Sequence, residues 1–320
     1  MYTDLDEREL RTYRSSQVDP PDFDEFWAST LAESRVFDLG LQIERVDTGL
    51  STIDVWDVTF NGFGGQPVRA WLRAPAGATG PLAAVVQFVG YGGGRGNAVE
   101  NLFWSSAGYA HLQMDTRGQG SSWSTGDTAD AYGSGPQVPG FMTRGIENRE
   151  SYFYRRVFVD AVRAVEAAMA LDIVDPTRVA VVGVSQGGGI SLAVAGLVPD
   201  IRAVAAYVPF LCDFPRATVI TDNDPYKEIG RYLAVHRNAV EQSHRTLSYF
   251  DGVNFAKRAL APAVITTALM DPICPPSTVF AAFNNYAGPK DISVWQYNGH
   301  DGGGVEDDLL ALRHFAAVLN

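Results

Sequence analysis

An α/β fold built on a mostly parallel, twisted sheet with helices on both faces is the architecture this sequence predicts. Three observations predict it. Short, almost wholly apolar runs recur from residue 83 onward, stretches of helical periodicity separate them, and one run leads directly into Gly183-Val-Ser-Gln-Gly187. A continuous apolar run marks a strand covered on both faces, which is the situation of a parallel sheet between helices. A β-branched strand feeding Gly-X-Ser-X-Gly and then a helix has the form of a nucleophile elbow.

Taken in order, Pro20 to Arg35 reads as a helix with proline and acids at its start. Residues 41–75 read as N-terminal antiparallel strands, because Leu41–Val46 and Val68–Arg73 alternate and Val55–Phe60 is rich in β-formers, with a turn at Asn61–Gly65. The candidate parallel strands are Ala83–Val89, Tyr109–Met114, Val179–Val182, Val204–Val208, Ala263–Ala268 and Ile292–Tyr297. Phe153, Val157, Ala161, Val165 and Met169, widened by Phe158 and Val162, mark one face of a crossover helix. A last helix spans about 304–319, with Leu309, Leu312, Phe315 and Leu319 on its apolar side. The whole reads as a single domain over 1–320. It carries insertions at about 116–150 and 210–258, lengths that favour lids, substrate walls or oligomer contacts over filler.

Composition excludes several function classes. Of 320 residues, 46% are hydrophobic and 19% charged, ample for a large core. The net charge of −12 opposes nucleic-acid binding, which needs excess Lys and Arg against phosphate. The apolar stretches are too short and interrupted to span a bilayer. The first ten residues are polar and acidic, unlike a secretory signal. Two cysteines, Cys212 and Cys274, provide neither a disulfide framework nor by themselves a zinc site. A cytoplasmic protein is expected.

A serine hydroxyl becomes a useful nucleophile only when a base takes its proton and a third group orients that base. Five histidines are available. His111 lies within an apolar strand and reads as core. His236 and His244 fall on polar helix faces of the 210–258 insertion, and His314 lies within the last helix. His300 follows the last strand and opens the Gly-rich segment Asn298–Gly304, where this fold class holds its base. Asp271 ends the Ala263–Met270 run, at the carboxyl edge where parallel sheets hold their sites. The alternative is a turn aspartate before proline. The order Ser185, Asp271, His300 favours the catalytic role, with Asp301 and Glu306 as rivals for the acid. The backbone N–H groups of Gln186, which opens a helix, and Tyr91, in Gly90-Tyr-Gly-Gly-Gly-Arg-Gly96, are the candidates for the oxyanion hole. That glycine-rich loop lacks the Lys-Ser/Thr of a phosphate loop. Tyr91, Phe210 and Trp123 are candidates for the walls of an acyl pocket.

Several long motifs go beyond generic hydrolase patterns: Asp115-Thr-Arg-Gly-Gln-Gly-Ser121, the elbow itself, Pro139–Gly145, Tyr152–Arg156, Leu247-Ser-Tyr-Phe-Asp-Gly-Val-Asn-Phe255, and Asp271-Pro-Ile-Cys-Pro-Pro-Ser-Thr-Val-Phe280. In these the chain resembles the acetyl xylan esterase / cephalosporin C deacetylase family (carbohydrate esterase family seven). The resemblance implies an α/β-hydrolase fold and a serine esterase without metal or cofactor, removing acetyl groups from acetylated xylo-oligosaccharides and cephalosporin-type esters. It implies the triad Ser185, Asp271 and His300, the oxyanion donors Tyr91 and Gln186, and a ring-like homohexamer. Arg117 of the Arg-Gly-Gln motif reads as a fork of donors tying loops together. Asp301 departs from the family pattern, which has Glu after the histidine. A lactone hydrolase or peptidase of the same fold is the alternative activity, and a non-catalytic binding protein the remaining one.

Overall fold

Apolar runs and polar turns sort this chain into a nine-stranded sheet, described in a computed structural model over residues 1–132 and 135–319. The strands are β1 (Gln42–Val46), β2 (Ile53–Asn61), β3 (Pro67–Pro75), β4 (Leu82–Phe88), β5 (Ala110–Met114), β6 (Val174–Val184), β7 (Ala203–Tyr207), β8 (Ala263–Ala268) and β9 (Lys290–Trp295). Their spatial order is β1-β2-β3-β5-β4-β6-β7-β8-β9. The alternating N-terminal segments pair antiparallel, as does β3 with β5, and every pairing from β5 through β4 to β9 is parallel. This is the α/β-hydrolase arrangement.

Both faces are covered, which is why the parallel strands are apolar throughout. On β4, Ala84, Val86 and Phe88 join the core beneath the helices Phe153–Met169 and Gln186–Leu197, while Ala83 and Val85 join a second core with Ala311, Phe315 and Leu319. An aromatic cluster of Phe26, Trp27, Phe158, Phe250 and Phe255 ties the helix Phe23–Arg35 to the crossover helix and the 210–258 region. Among the described residues no helix is long and apolar enough to cross a membrane.

Several elements differ from expectation. The first long helix begins at Phe23, and Pro20 and Pro21 precede it. Its N-cap Asp22 makes no capping bond, because its carboxylate is engaged by Arg149 at 2.6 Å and by the Tyr249 hydroxyl. β6 starts at Val174, ahead of the apolar run that begins at Val179. The last helix, Val305–Leu319, buries Asp307, Ala311, Phe315 and Leu319, so its inner stripe runs through Ala311, and Leu309 and Leu312 are half-buried at its flank. Residues 116–150 hold no helix or strand among those described, whereas 210–258 hold four short α-helices, from Phe214–Ile220 to Gly252–Ala256.

The crossover helix is buried on its polar side as well. Arg155, Arg156, Asp160 and Arg163 are all buried. Arg117 donates from Nε and Nη2 to the two oxygens of Asp160 at 2.5 and 2.7 Å, and from Nη1 to Gln66 at 2.7 Å. Arg156 makes a second two-pronged pair with Asp130 at 3.0 and 2.7 Å. Arg117 thus ties the 116–150 segment to the helix, and Asp160 also accepts the Phe63 N–H at 2.8 Å. Removing one member of such a buried pair strands the other charge, which costs about 3–5 kcal/mol. Asp160→Ala is accordingly expected to lower the unfolding free energy by roughly that amount. Urea denaturation would read it as a fall in midpoint at unchanged slope, and an unchanged midpoint would show that the pair contributes nothing.

Candidate active site

The elbow serine sits where β6 turns into the helix Gln186–Leu197. Ser185 holds φ 56° and ψ −116°, a left-handed φ that an L-residue adopts only under constraint. The constraint is visible. Ser185 N–H donates to Tyr207 O at 2.9 Å, and its own carbonyl accepts from Phe210 N at 2.9 Å and Gly189 N at 3.0 Å. The turn needs its glycines because backbone presses on both: a Cβ on Gly187 would lie 2.1 Å from Phe88 O, and one on Gly183 would lie 2.2 Å from Gly187 C.

The structure brings Ser185, Asp271 and His300 together from three strand ends. Asp271, fully buried just after β8, accepts at Oδ1 from the N–H groups of Ile273 and Cys274 at 2.8 and 3.0 Å. Its Oδ2 faces His300 Nδ1 at 2.8 Å, and His300 Nε2 faces Ser185 Oγ at 2.9 Å. A carboxylate on Nδ1 leaves that nitrogen protonated and Nε2 free to accept the serine proton. The rivals lie elsewhere. Asp301 turns back to Gly299 N and Asn298 Nδ2, both at 3.0 Å, and Glu306 is exposed. The Asn298 hydrogen bond holds the Asp301 carboxyl below its usual range. The other histidines are engaged away from the serine. Buried His111 bonds Gln87 at 2.8 Å, His236 stacks on Tyr232, and His314 faces Pro262 O at 3.0 Å. His244 is half-buried on the helix Val240–Ser248, more enclosed than a solvated face.

A cavity of about 1160 Å³ opens over the serine, lined among others by Tyr91, Trp123, Ser185, Pro225, Ile273 and His300. Phe210 is not on its wall: it is fully buried behind Tyr91, packed edge-on against Tyr91 and Tyr226. Tyr91 and Gln186 flank the serine from the ends of β4 and β6, and among the described residues neither backbone N–H has a protein acceptor. Asp271, Cys274 and His300 each bring one ligand-type atom within 4.8 Å of the others. Asp271 and His300 are already bonded to one another, and burial pushes the Cys274 thiol well above its usual range, which disfavours the thiolate a metal needs.

Three supporting residues escape sequence reasoning. Gln119 accepts the Gly92 N–H at 2.8 Å and donates to Gln186 Oε1 at 2.9 Å, while Gln186 Nε2 reaches Val89 O at 3.1 Å. The two glutamines thereby couple the glycine-rich loop to the elbow. The Arg-Gly-Gln motif marked Gln119, but nothing in the motif states its partner. Asp307 accepts from Trp295 Nε1 at 2.8 Å and Gly303 N at 2.9 Å, fixing the loop that carries His300. Glu228 accepts from the Tyr91 hydroxyl at 2.6 Å. Overpacking the turn tests how rigid it must be. Gly187→Ala is expected to cost about 1–3 kcal/mol in urea denaturation and to suppress labelling of Ser185 by a fluorophosphonate. Unchanged stability and labelling would show that the turn relaxes freely.

The acetyl xylan esterase (AXE1) family model matches residues 1–313. Acetyl xylan esterase from Paenibacillus sp. R4 superposes with a TM-score of 0.92 at 37% identity, covering 98% of this chain and 100% of that one. Acetyl xylan esterase 1 from Thermoanaerobacterium sp. JW/SL YS485 gives 0.90 at 33%, covering 98% and 99%. Acetyl esterase Axe7A of Xylanibacter ruminicola is 28% identical over 295 residues, 88% of this chain, and the chain spans 63% of that relative's length. An acylaminoacyl peptidase from Pyrococcus horikoshii, at 15% identity and a TM-score of 0.62 over 85% of this chain and 42% of its own, shares the fold alone. With a family match over almost its whole length and two structural relatives above 30% identity, the chain belongs to the acetyl xylan esterase family.

Proposed function

We propose that the protein is a serine carboxylesterase that removes acetyl groups from small substrates through an acetyl-serine intermediate. The observation that carries this reading is the hydrogen-bonded chain from Asp271 through His300 to Ser185, at 2.8 and 2.9 Å, opening onto the cavity. His300 Nε2 takes the Ser185 proton as Oγ adds to the acetyl carbonyl. Negative charge develops on the carbonyl oxygen, and the N–H groups of Tyr91 and Gln186 receive it, with the helix N-terminus at Gln186 adding its dipole. Collapse expels the alcohol, protonated by His300. Water, deprotonated by the same nitrogen, then adds to the acetyl-serine, and acetate leaves with Ser185 restored.

Family membership supports acetylated xylo-oligosaccharides and cephalosporin C-type acetyl esters as substrates. It also supports a homohexamer. The two free, buried cysteines support a cytoplasmic location. Ser185→Ala is expected to lower kcat by about 10³–10⁶-fold, and the wild-type protein to prefer acetyl over butyryl and octanoyl nitrophenyl esters. Full activity in the variant, or preference for long acyl chains or an aminopeptidase substrate, would overturn the reading. Native mass spectrometry should give six times the mass of the chain, and a monomer would end the hexamer proposal.

A further inference from the structure

Tyr91 is held at three points. Its carbonyl accepts from Trp123 Nε1 at 2.8 Å, the following N–H of Gly92 donates to Gln119 at 2.8 Å, and its hydroxyl donates to Glu228 Oε1 at 2.6 Å. The first two tethers come from the 116–150 segment facing the loop. The third comes from the helix Tyr226–Val235, 137 residues further along the chain. Glu228 is buried at 3% exposure, and its second oxygen accepts the Met142 N–H at 3.0 Å. The Tyr91 hydroxyl in turn accepts from Phe141 N at 2.5 Å, and the ring packs edge-on against Phe141 and Phe210.

A buried carboxylate is costly unless its oxygens are satisfied, and among the described residues Glu228 forms no salt bridge that would repay its burial. Burial pushes its carboxyl above the usual range. Burial, and then the charge of Glu228, push the Tyr91 hydroxyl far above its own, so the phenol stays protonated and donates. An apolar side chain of similar volume would fill the same space at lower cost, but it would not hold a hydroxyl. What the carboxylate adds is a directed bond that fixes the Tyr91 ring. With the ring and the carbonyl both fixed, the peptide bearing the Tyr91 N–H has little freedom to turn.

We propose that Glu228 is a positioning residue of the oxyanion hole, holding Tyr91 by its hydroxyl so that its backbone N–H stays aimed above Ser185. This rests on the serine-esterase reading. The test uses the full-length protein and its Tyr91→Phe, Glu228→Gln and double variants, with Ser185→Ala alongside. Measured are kcat and KM on p-nitrophenyl acetate, and Ki for trifluoroacetone, which adds to a serine as a hemiketal whose oxygen occupies the hole.

Each single variant should lower kcat about tenfold, less than the 10²–10³-fold loss on deleting a donor outright. KM should stay within about twofold, and Ki should rise by the factor lost in kcat. The double variant should be no worse than the poorer single. Lower thermal stability with kcat and Ki unchanged would overturn the proposal, as would additive losses. If one variant does not fold, the other decides. Activity in Ser185→Ala would instead remove the esterase reading beneath it.

Discussion

Ser185 keeps a backbone conformation that the chain would not choose by itself, at a cost of about 1–3 kcal/mol, and the centre of the molecule is arranged to enforce it. Of the five non-glycine residues with left-handed φ among those described, four lie at or just beyond the ends of β6 and β7: Ser185, Val208, Leu211 and Asp213. Val208 is β-branched and so especially unwilling there. The strain is concentrated at one edge of the sheet, where the Ser185 N–H bond to Tyr207 O and the bonds its carbonyl accepts from Phe210 N and Gly189 N over-determine the turn. Gly187 lets the elbow press against Phe88 O at the end of β4, which brings the glycine-rich loop after β4 close to the serine.

From that contact outward, support is polar and buried. Gln119 and Gln186 join the loop after β4 to the elbow, Asp271 is held by two backbone N–H groups, and Asp307 braces the loop of His300. Each is satisfied, as buried polar groups must be if they are to stiffen a site without destabilising it. Tyr154 adds to this arrangement by donating to Gln186 Oε1 at 2.9 Å from the crossover helix.

The parallel strands and the crossover helix were legible in the sequence because two-sided burial writes itself as continuous apolar runs. Ser185, Asp271 and His300 were legible because a Gly-flanked serine, a strand-end aspartate and a loop histidine occur in the order this fold uses. The supporting groups were hidden for a physical reason: Glu228 and Gln119 act through partners 137 and 67 residues away, and no local pattern encodes such pairs. Hydrophobicity marks Phe210 as buried without saying on which side of Tyr91 it packs. The inner stripe of the last helix is hidden for a similar reason. Ala311 is small enough to lie against the sheet, so the larger leucines sit at the flank.

The segment carrying Trp123, Ser124 and Thr125 is irregular, yet it is fastened along its length. Asp115 accepts from the N–H groups of Arg95, Asp127 and Thr128, Ser124 reaches Gly94 O at 3.0 Å, and Gly96 N reaches Thr125 O at 2.9 Å. This side of the cavity wall is therefore fastened to the glycine-rich loop, and moving it would require several of these hydrogen bonds to break together.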